Sequence, residues 1–219
     1  MKPKLKRWLI PVLIFDALLL WAVLDLFGPR HADLRRFDPN EVARLDTVMW
    51  RSYYDRQPRQ LFLQLAELMR RQFHFPLLRS NEVAAHAAKA AFVFKDGHNR
   101  ADYEKALPEL VKYFQAIRAI SNKPFDVQRA AKLELEWWIV HREREHRADG
   151  DLARALAVAA AELYQVPADK LMEYGRFRAD AMKIRDTKAA AGEVTEADWQ
   201  HIESDLQISW QSLWKAIQS

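Results

Sequence analysis

The sequence predicts an all-α protein: one N-terminal transmembrane helix followed by a single multi-helix bundle domain. Three observations carry that reading. Residues 8–28, WLIPVLIFDALLLWAVLDLFG, are almost continuously apolar and follow the basic start MKPKLKR. At about 1.5 Å rise per residue the run is long enough to cross a ~30 Å hydrocarbon core. Five glycines and nine prolines in 219 residues are a small turn inventory, which suits helices on short connections and not a sheet with many tight turns. Beyond residue 38, apolar residues recur at helical spacing behind capping residues.

The apolar run continues through Trp21-Ala22-Val23-Leu24 to Phe27 and ends at Gly28-Pro29 without a small-x-small exit. It therefore reads as a retained anchor and not a cleaved signal peptide. Residues 1–29 form the basic flank and anchor, 30–40 a juxtamembrane linker, and 41–219 the bundle domain. Two acids interrupt the anchor. Asp25 lies near its far end, within reach of headgroups. Asp16 lies near mid-bilayer, where a charged carboxylate costs at least ~2.5 kcal/mol, so it is protonated or paired. Its two readings are a polar contact to a partner helix in the membrane and a tolerated single acid. Lys2, Lys4, Lys6 and Arg7 precede the helix, whereas Arg30, Arg35 and Arg36 follow it, diluted by Asp33. That bias favours a cytoplasmic N-terminus and an exported soluble domain, single-pass.

Composition excludes several classes. No cysteine is present, which removes disulfides, thiolate metal sites and cysteine nucleophiles, and fits a reducing or an oxidising compartment equally. The net charge is +4, with much of the excess flanking the anchor. It reads as an attachment to anionic membrane lipid and not as a nucleic-acid footprint. No Gly-rich phosphate loop, G-x-S-x-G or H-E-x-x-H occurs. Eight Trp and eleven Phe supply large buried area per residue.

In the soluble part, Asp38 is a candidate N-cap with Pro39 in the first turn, and Val42, Leu45, Asp46, Met49 and Tyr53 carry a helix to about Asp55. Pro58 opens a second, through Leu61, Leu65, Leu68 and Met69, stopped near Pro76. A third runs from about Ser80 to Phe94, with Ala84, Ala87, Ala88 and Ala91 allowing close packing, and KDGHN (95–99) turns the chain. A fourth is expected from Ala101 to Ile120, with Pro108 kinking it or lying in its first turns. Asp126 caps a fifth, from Val127 to about His146. A sixth covers Leu152 to Tyr164, a seventh about Ala168 to Lys188. TEAD (195–198) is a capping-box-like start for the last, with Trp199, Ile202, Leu206, Leu213 and Ile217 on one stripe.

Projected at about 100° per residue, three helices place ionisable groups on apolar faces: Asp46 between Val42 and Met49, His86 beside Val83 and Ala90, and Glu134 and His141 two turns apart with Trp137 and Trp138. Buried carboxylates must pair, bind a metal or protonate. The sharp reading is a divalent-metal site of Asp46, His86, Glu134 and His141 inside the bundle. The pattern departs from paired Glu-x-x-His motifs of ferritin-like carboxylate bundles: Glu143-x-x-His146 falls in the charged run HREREHR, and Asp198-x-x-His201 is better explained by capping. The favoured reading is a structural salt-bridge and hydrogen-bond network, with Arg178, Arg185, Tyr53 or Tyr174 as partners. Tyr53-Tyr54 and Trp137-Trp138 could flank a cofactor or lipid pocket, or be packing alone. The stretch from Arg142 to Asp151 reads as a solvated helix end and loop.

The blocks RRFDP (35–39), MWRSYY (49–54), FKDGHNRADYEKALP (94–108), LELEWW (133–138) and LYQVPADKL (163–171) resemble those of an uncharacterised group of bacterial membrane-anchored helical proteins. That resemblance implies no activity and no cofactor. Two functions follow as expectations. The first is a non-catalytic accessory or scaffold protein, held to lipid by its anchor and acting on a membrane-protein partner, with no nucleic acid involved. The alternative is a membrane-anchored enzyme or binding protein with a metal or small-ligand site in the bundle.

Overall fold

A computed structural model describes residues 4–219, with side chains from Ile10 onward. Lys2 of the basic flank, and the side chains of Lys4, Lys6 and Arg7, lie outside the described residues. Ten α-helices follow in order: α1 Lys4–Phe27, α2 Pro39–Tyr54, α3 Pro58–Phe73, α4 Leu77–Asp96, α5 Arg100–Glu104, α6 Leu107–Ile120, α7 Val127–Arg142, α8 Asp151–Tyr164, α9 Met172–Ala190 and α10 Glu196–Gln218. Single 3₁₀ turns at Arg144–His146 and Ala168–Leu171 precede α8 and α9. Among the described residues there is no strand, only an isolated bridge between Ala32 and Ser121. The chain is therefore all-α, with an N-terminal helix whose Ile10–Phe27 segment is long and apolar enough to span a membrane.

Caps set most of the boundaries. The Asp38 carboxylate accepts from the N–H of Asn40 (2.9 Å) and Glu41 (3.4 Å), and Asp126 does the same for Gln128 and Arg129. Thr195 and Asp198 form a reciprocal capping box at α10, and the bonds from Thr195 and Lys188 hold the Asp198 carboxyl down at about 2. Each such cap stabilises its helix by roughly 1 kcal/mol. The expected fourth helix is two: the chain breaks after Glu104, and Pro108 sits in the first turn of α6, where its missing N–H has no bond to lose. The expected fifth ends at Arg142, four residues early, and the seventh begins with a 3₁₀ turn.

Helix α4 starts three residues before its expected beginning because its cap comes from another helix. Asp25 of α1 accepts the backbone N–H of Leu78 (2.9 Å) and Arg79 (3.1 Å), and the Arg79 guanidinium donates to the Gly28 carbonyl (2.8 Å). Asp25 is 5% exposed. It does not reach toward headgroups; it satisfies two of the donors that a helix start leaves orphaned. The segment after α1 is likewise built into the bundle: Ala32 exchanges backbone bonds with Ile120 and Asn122, and Leu34 and Phe37 are buried.

Among the described residues, eight of the helices beyond α1 form a closed ring. Helices α2, α3, α4, α6, α7, α8, α9 and α10 each pack on their neighbours in that order, and α10 returns to α2. Helices α10 and α2 are antiparallel: the end of α10 bonds the start of α2, and the start of α10 bonds the end of α2. One end of the ring is where α1 docks on the start of α4. Arg35 bonds the Tyr164 carbonyl and Gln218 bonds the Arg35 carbonyl at this same end. Closure uses named polar contacts along α10: Gln211 to Asn40 (2.7 Å), Trp210 to Asp46 (2.9 Å), and Arg51 to Glu196 (Nη1 to Oε1, 3.2 Å). Helices α8 and α9 approach so closely that a Cβ on Gly175 would run into the Ala153 carbonyl.

Candidate functional site

The axis of the ring is a cavity of about 560 Å³ to which all eight ring helices contribute lining side chains. Its walls are aliphatic and aromatic: Leu65 from α3, Ala88 and Ala91 from α4, Tyr113 from α6, Trp137 and Trp138 from α7, Leu163 from α8, and Met182 from α9. The small alanines of α4 leave room in the wall. The Gln72 amide donates to the Tyr164 hydroxyl (3.0 Å) near the end where α1 docks. At the other end lie the last residues of α2 and α4 (Tyr53, Tyr54, Phe92, Phe94), together with His141, Arg142, Arg144, Arg185 and Asp186. Tyr53, Phe92, Arg142 and Arg144 are exposed there, which makes that end the mouth. A pocket of this size, apolar with a few convergent polar groups, has the anatomy of a small-molecule site.

Asp46 is 1% exposed and is held by the Arg178 guanidinium, through Nη1 to Oδ2 and Nη2 to Oδ1 (3.4 Å), and by the Trp210 indole N–H (2.9 Å). Arg178 in turn lies 5.2 Å from the Trp50 ring centroid and 5.7 Å from that of Trp210. Burial alone would lower its pKa, but the charge of Asp46, the neighbouring Tyr174 and the hydrogen bond to Asp46 push it up. Its Nε, also buried, has no hydrogen-bond partner.

Glu134 lies across the cavity on α7. It is half-buried by surface area, and it lines the cavity. Its Oε1 accepts from the Trp138 indole N–H (3.0 Å), and among the described residues no cation pairs with it. Burial raises its carboxyl above the usual range, against the pull of Trp137, Trp138 and the more distant Arg178. Burial also pushes the hydroxyls of Tyr54 and Tyr174 up to about 12, so both stay protonated donors.

His141 bonds Asp186 of α9 (3.0 Å). Asp186 also takes Arg185 (3.1 Å) and Arg144 (3.3 Å). Burial pushes its carboxyl up, but these cationic partners and the His141 bond leave it below the usual range. The Arg185 guanidinium lies 3.2 Å from the Tyr54 ring centroid.

The four proposed metal ligands do not form one site. Asp46, Glu134 and His141 line the cavity, but each is bonded to a different protein partner. His86 does not line it: its ring bonds Glu109 of α6 (2.6 Å). That bond, with the one from Lys112, holds Glu109 down at about 2. Among the described residues no group of three or more His, Asp or Glu is arranged to hold a metal ion. The physical reason is rotational: α4 turns its alanines to the axis and His86 toward α6. The sequence points to Arg178 as a partner but not to Trp210 or Asp186. Both had a signal. Trp210 lies between Leu206 and Leu213 on the apolar stripe of α10, where a buried indole N–H needs an acceptor, and Asp186 is one turn beyond Met182 on the stripe of Arg178. Two residues of the expected solvated loop, Arg142 and Arg144, are part of the mouth. Asp16 is exposed on α1, beside the exposed Phe15 and Leu19.

No protein-family model, curated protein or solved structure matches this chain.

Proposed function

We propose that this chain is a membrane-anchored binding protein that encloses one small, largely apolar ligand on the axis of its helical ring. The observation that carries it is the cavity itself. An apolar space of about 560 Å³, open at its mouth, leaves wall atoms facing it without packing partners. A helical bundle minimising its own free energy would close it. Keeping it open, with a carboxyl whose pKa burial raises and protonated tyrosines converging on it, makes sense if a guest supplies the missing contacts.

Helix α1 supports membrane attachment, with the N-terminus cytoplasmic and the ring exported. Carbonate and high-salt washing should leave the full-length chain in the membrane fraction, and a reporter fused after Ser219 should behave as exported. The accessory reading retains one supporting observation, the exposed Asp16 of α1. Crosslinking from that position to another membrane protein would favour it.

The binding claim is tested with tetradecanol, a neutral apolar probe, and the full-length protein in nanodiscs, scored as one-to-one adducts by native mass spectrometry. Saturable binding of one probe per chain is expected, and Ala88→Phe, which fills the axis, should abolish it without lowering the melting temperature. Absence of saturable binding, or equal binding by the Ala88→Phe variant, would overturn the reading.

A further inference from the structure

Resting on that reading, we infer that the ligand is an anionic amphiphile, its chain on the ring axis and its carboxylate-type head held at the mouth by Arg142 and Arg185. The charges at the mouth do not balance. Three guanidinium groups, Arg142, Arg144 and Arg185, face one carboxylate, Asp186, with His141 as its remaining partner. Among the described residues Arg142 has no acidic partner. It stacks 4.7 Å from the Phe94 ring centroid and reaches only the carbonyls of Phe94 and Gly97, at 3.5 Å. Arg185 is fixed against Tyr54 and uses Nη1 on Asp186, while its buried Nε has no partner. A planar fork with donors to spare matches the geometry of a carboxylate.

Beneath that cationic rim the cavity turns apolar for some distance. From Arg185 to Tyr174, α9 covers about 16 Å at 1.5 Å per residue, with Met182 between them and Ala91 and Trp138 facing from the other walls. Deeper in, Asp46 and Arg178 neutralise one another, and burial raises the Glu134 carboxyl above its usual range. Among the described residues that line the mouth, the guanidinium groups outnumber the carboxylates, so its net charge is positive. An alkyl chain fits the walls, and an anionic head fits the rim. A cationic head would meet repulsion on entry.

The full-length chain in nanodiscs is titrated with tetradecanoate, tetradecanol and tetradecylammonium, each below its micellar concentration, and one-to-one adducts are counted by native mass spectrometry. Wild type and the double variant Arg142→Gln/Arg185→Gln are compared probe by probe, so partition into lipid cancels. The expected result is about a tenfold or greater loss of tetradecanoate affinity in the variant, tetradecanol affinity within about twofold of wild type, and a gain for tetradecylammonium. Retained tetradecanol binding also shows that the variant has folded. Equal loss for all three probes, or unchanged tetradecanoate binding, would overturn the head-group assignment while leaving the cavity reading intact. No binding of any probe to wild type would overturn both.

Discussion

Two carboxylates face the same cavity from opposite sides of the ring, and the bundle treats them differently. On the arc formed by α2, α9 and α10, Asp46 is locked by a guanidinium and an indole into a closed, charge-neutral unit. On the α7 side, Glu134 has one indole bond, no cation, and a carboxyl that burial keeps toward its neutral form. The first arrangement ties the last helices of the chain to the first, so it belongs to ring closure. The second leaves hydrogen-bonding capacity facing the cavity. One holds the ring closed, and the other is the side that the proposed binding role would use.

Substitutions separate the two arcs in order of size. Arg178→Ala should cost about 3–5 kcal/mol in denaturant unfolding, since it strands a buried charge. Pairing Arg178→Met with Asp46→Asn should recover most of that loss. If the single variant were nearly neutral, Asp46 would not be closing the ring.

A matched pair of indole substitutions sharpens the contrast. Trp210→Phe removes a donor from a fully buried carboxylate paired with Arg178 and should cost about 1–3 kcal/mol, whereas Trp138→Phe removes one from the half-buried Glu134 and should cost under about 1 kcal/mol beyond shared packing loss. Equal costs would erase the distinction between the two sides.

The smallest effect at neutral pH, and the most diagnostic sign, belongs to Glu134→Gln. Folding raises the Glu134 pKa, so its stabilisation is complete below the ordinary carboxylate range and is lost as pH rises through the raised value. The stability of wild type minus that of the variant should therefore fall with rising pH in a series of urea titrations. Glu109 has the opposite sign. With its carboxyl held at about 2, its contribution is present above the ordinary range and is lost as pH falls toward that value, so Glu109→Gln should show the reverse slope.

Much of the architecture was legible in the chain because caps and apolar spacing are local. Asp38, Asp126 and the Thr195–Asp198 box each announce a helix start from within four residues. The early start of α4 was not legible, because its cap is Asp25, more than fifty residues away on α1. Ring closure was hidden for the same reason: the contact of α10 with α2 joins the two ends of the soluble chain. For the site, helical phase correctly set Asp46, Glu134 and His141 toward the interior. It could not tell an interior filled by side chains from one left open, nor that His86 turns aside to α6. Those depend on how the eight helices are rotated about the axis, which is a property of the whole ring.

The open axis can be observed directly by determining the structure of the full-length protein under xenon pressure, since xenon enters dry apolar cavities. An open apolar axis requires xenon between Leu65, Ala88 and Trp138, with Asp46 still on Arg178. An axis closed by inward rotation of Trp137 and Trp138, with no xenon bound, would contradict the central claim.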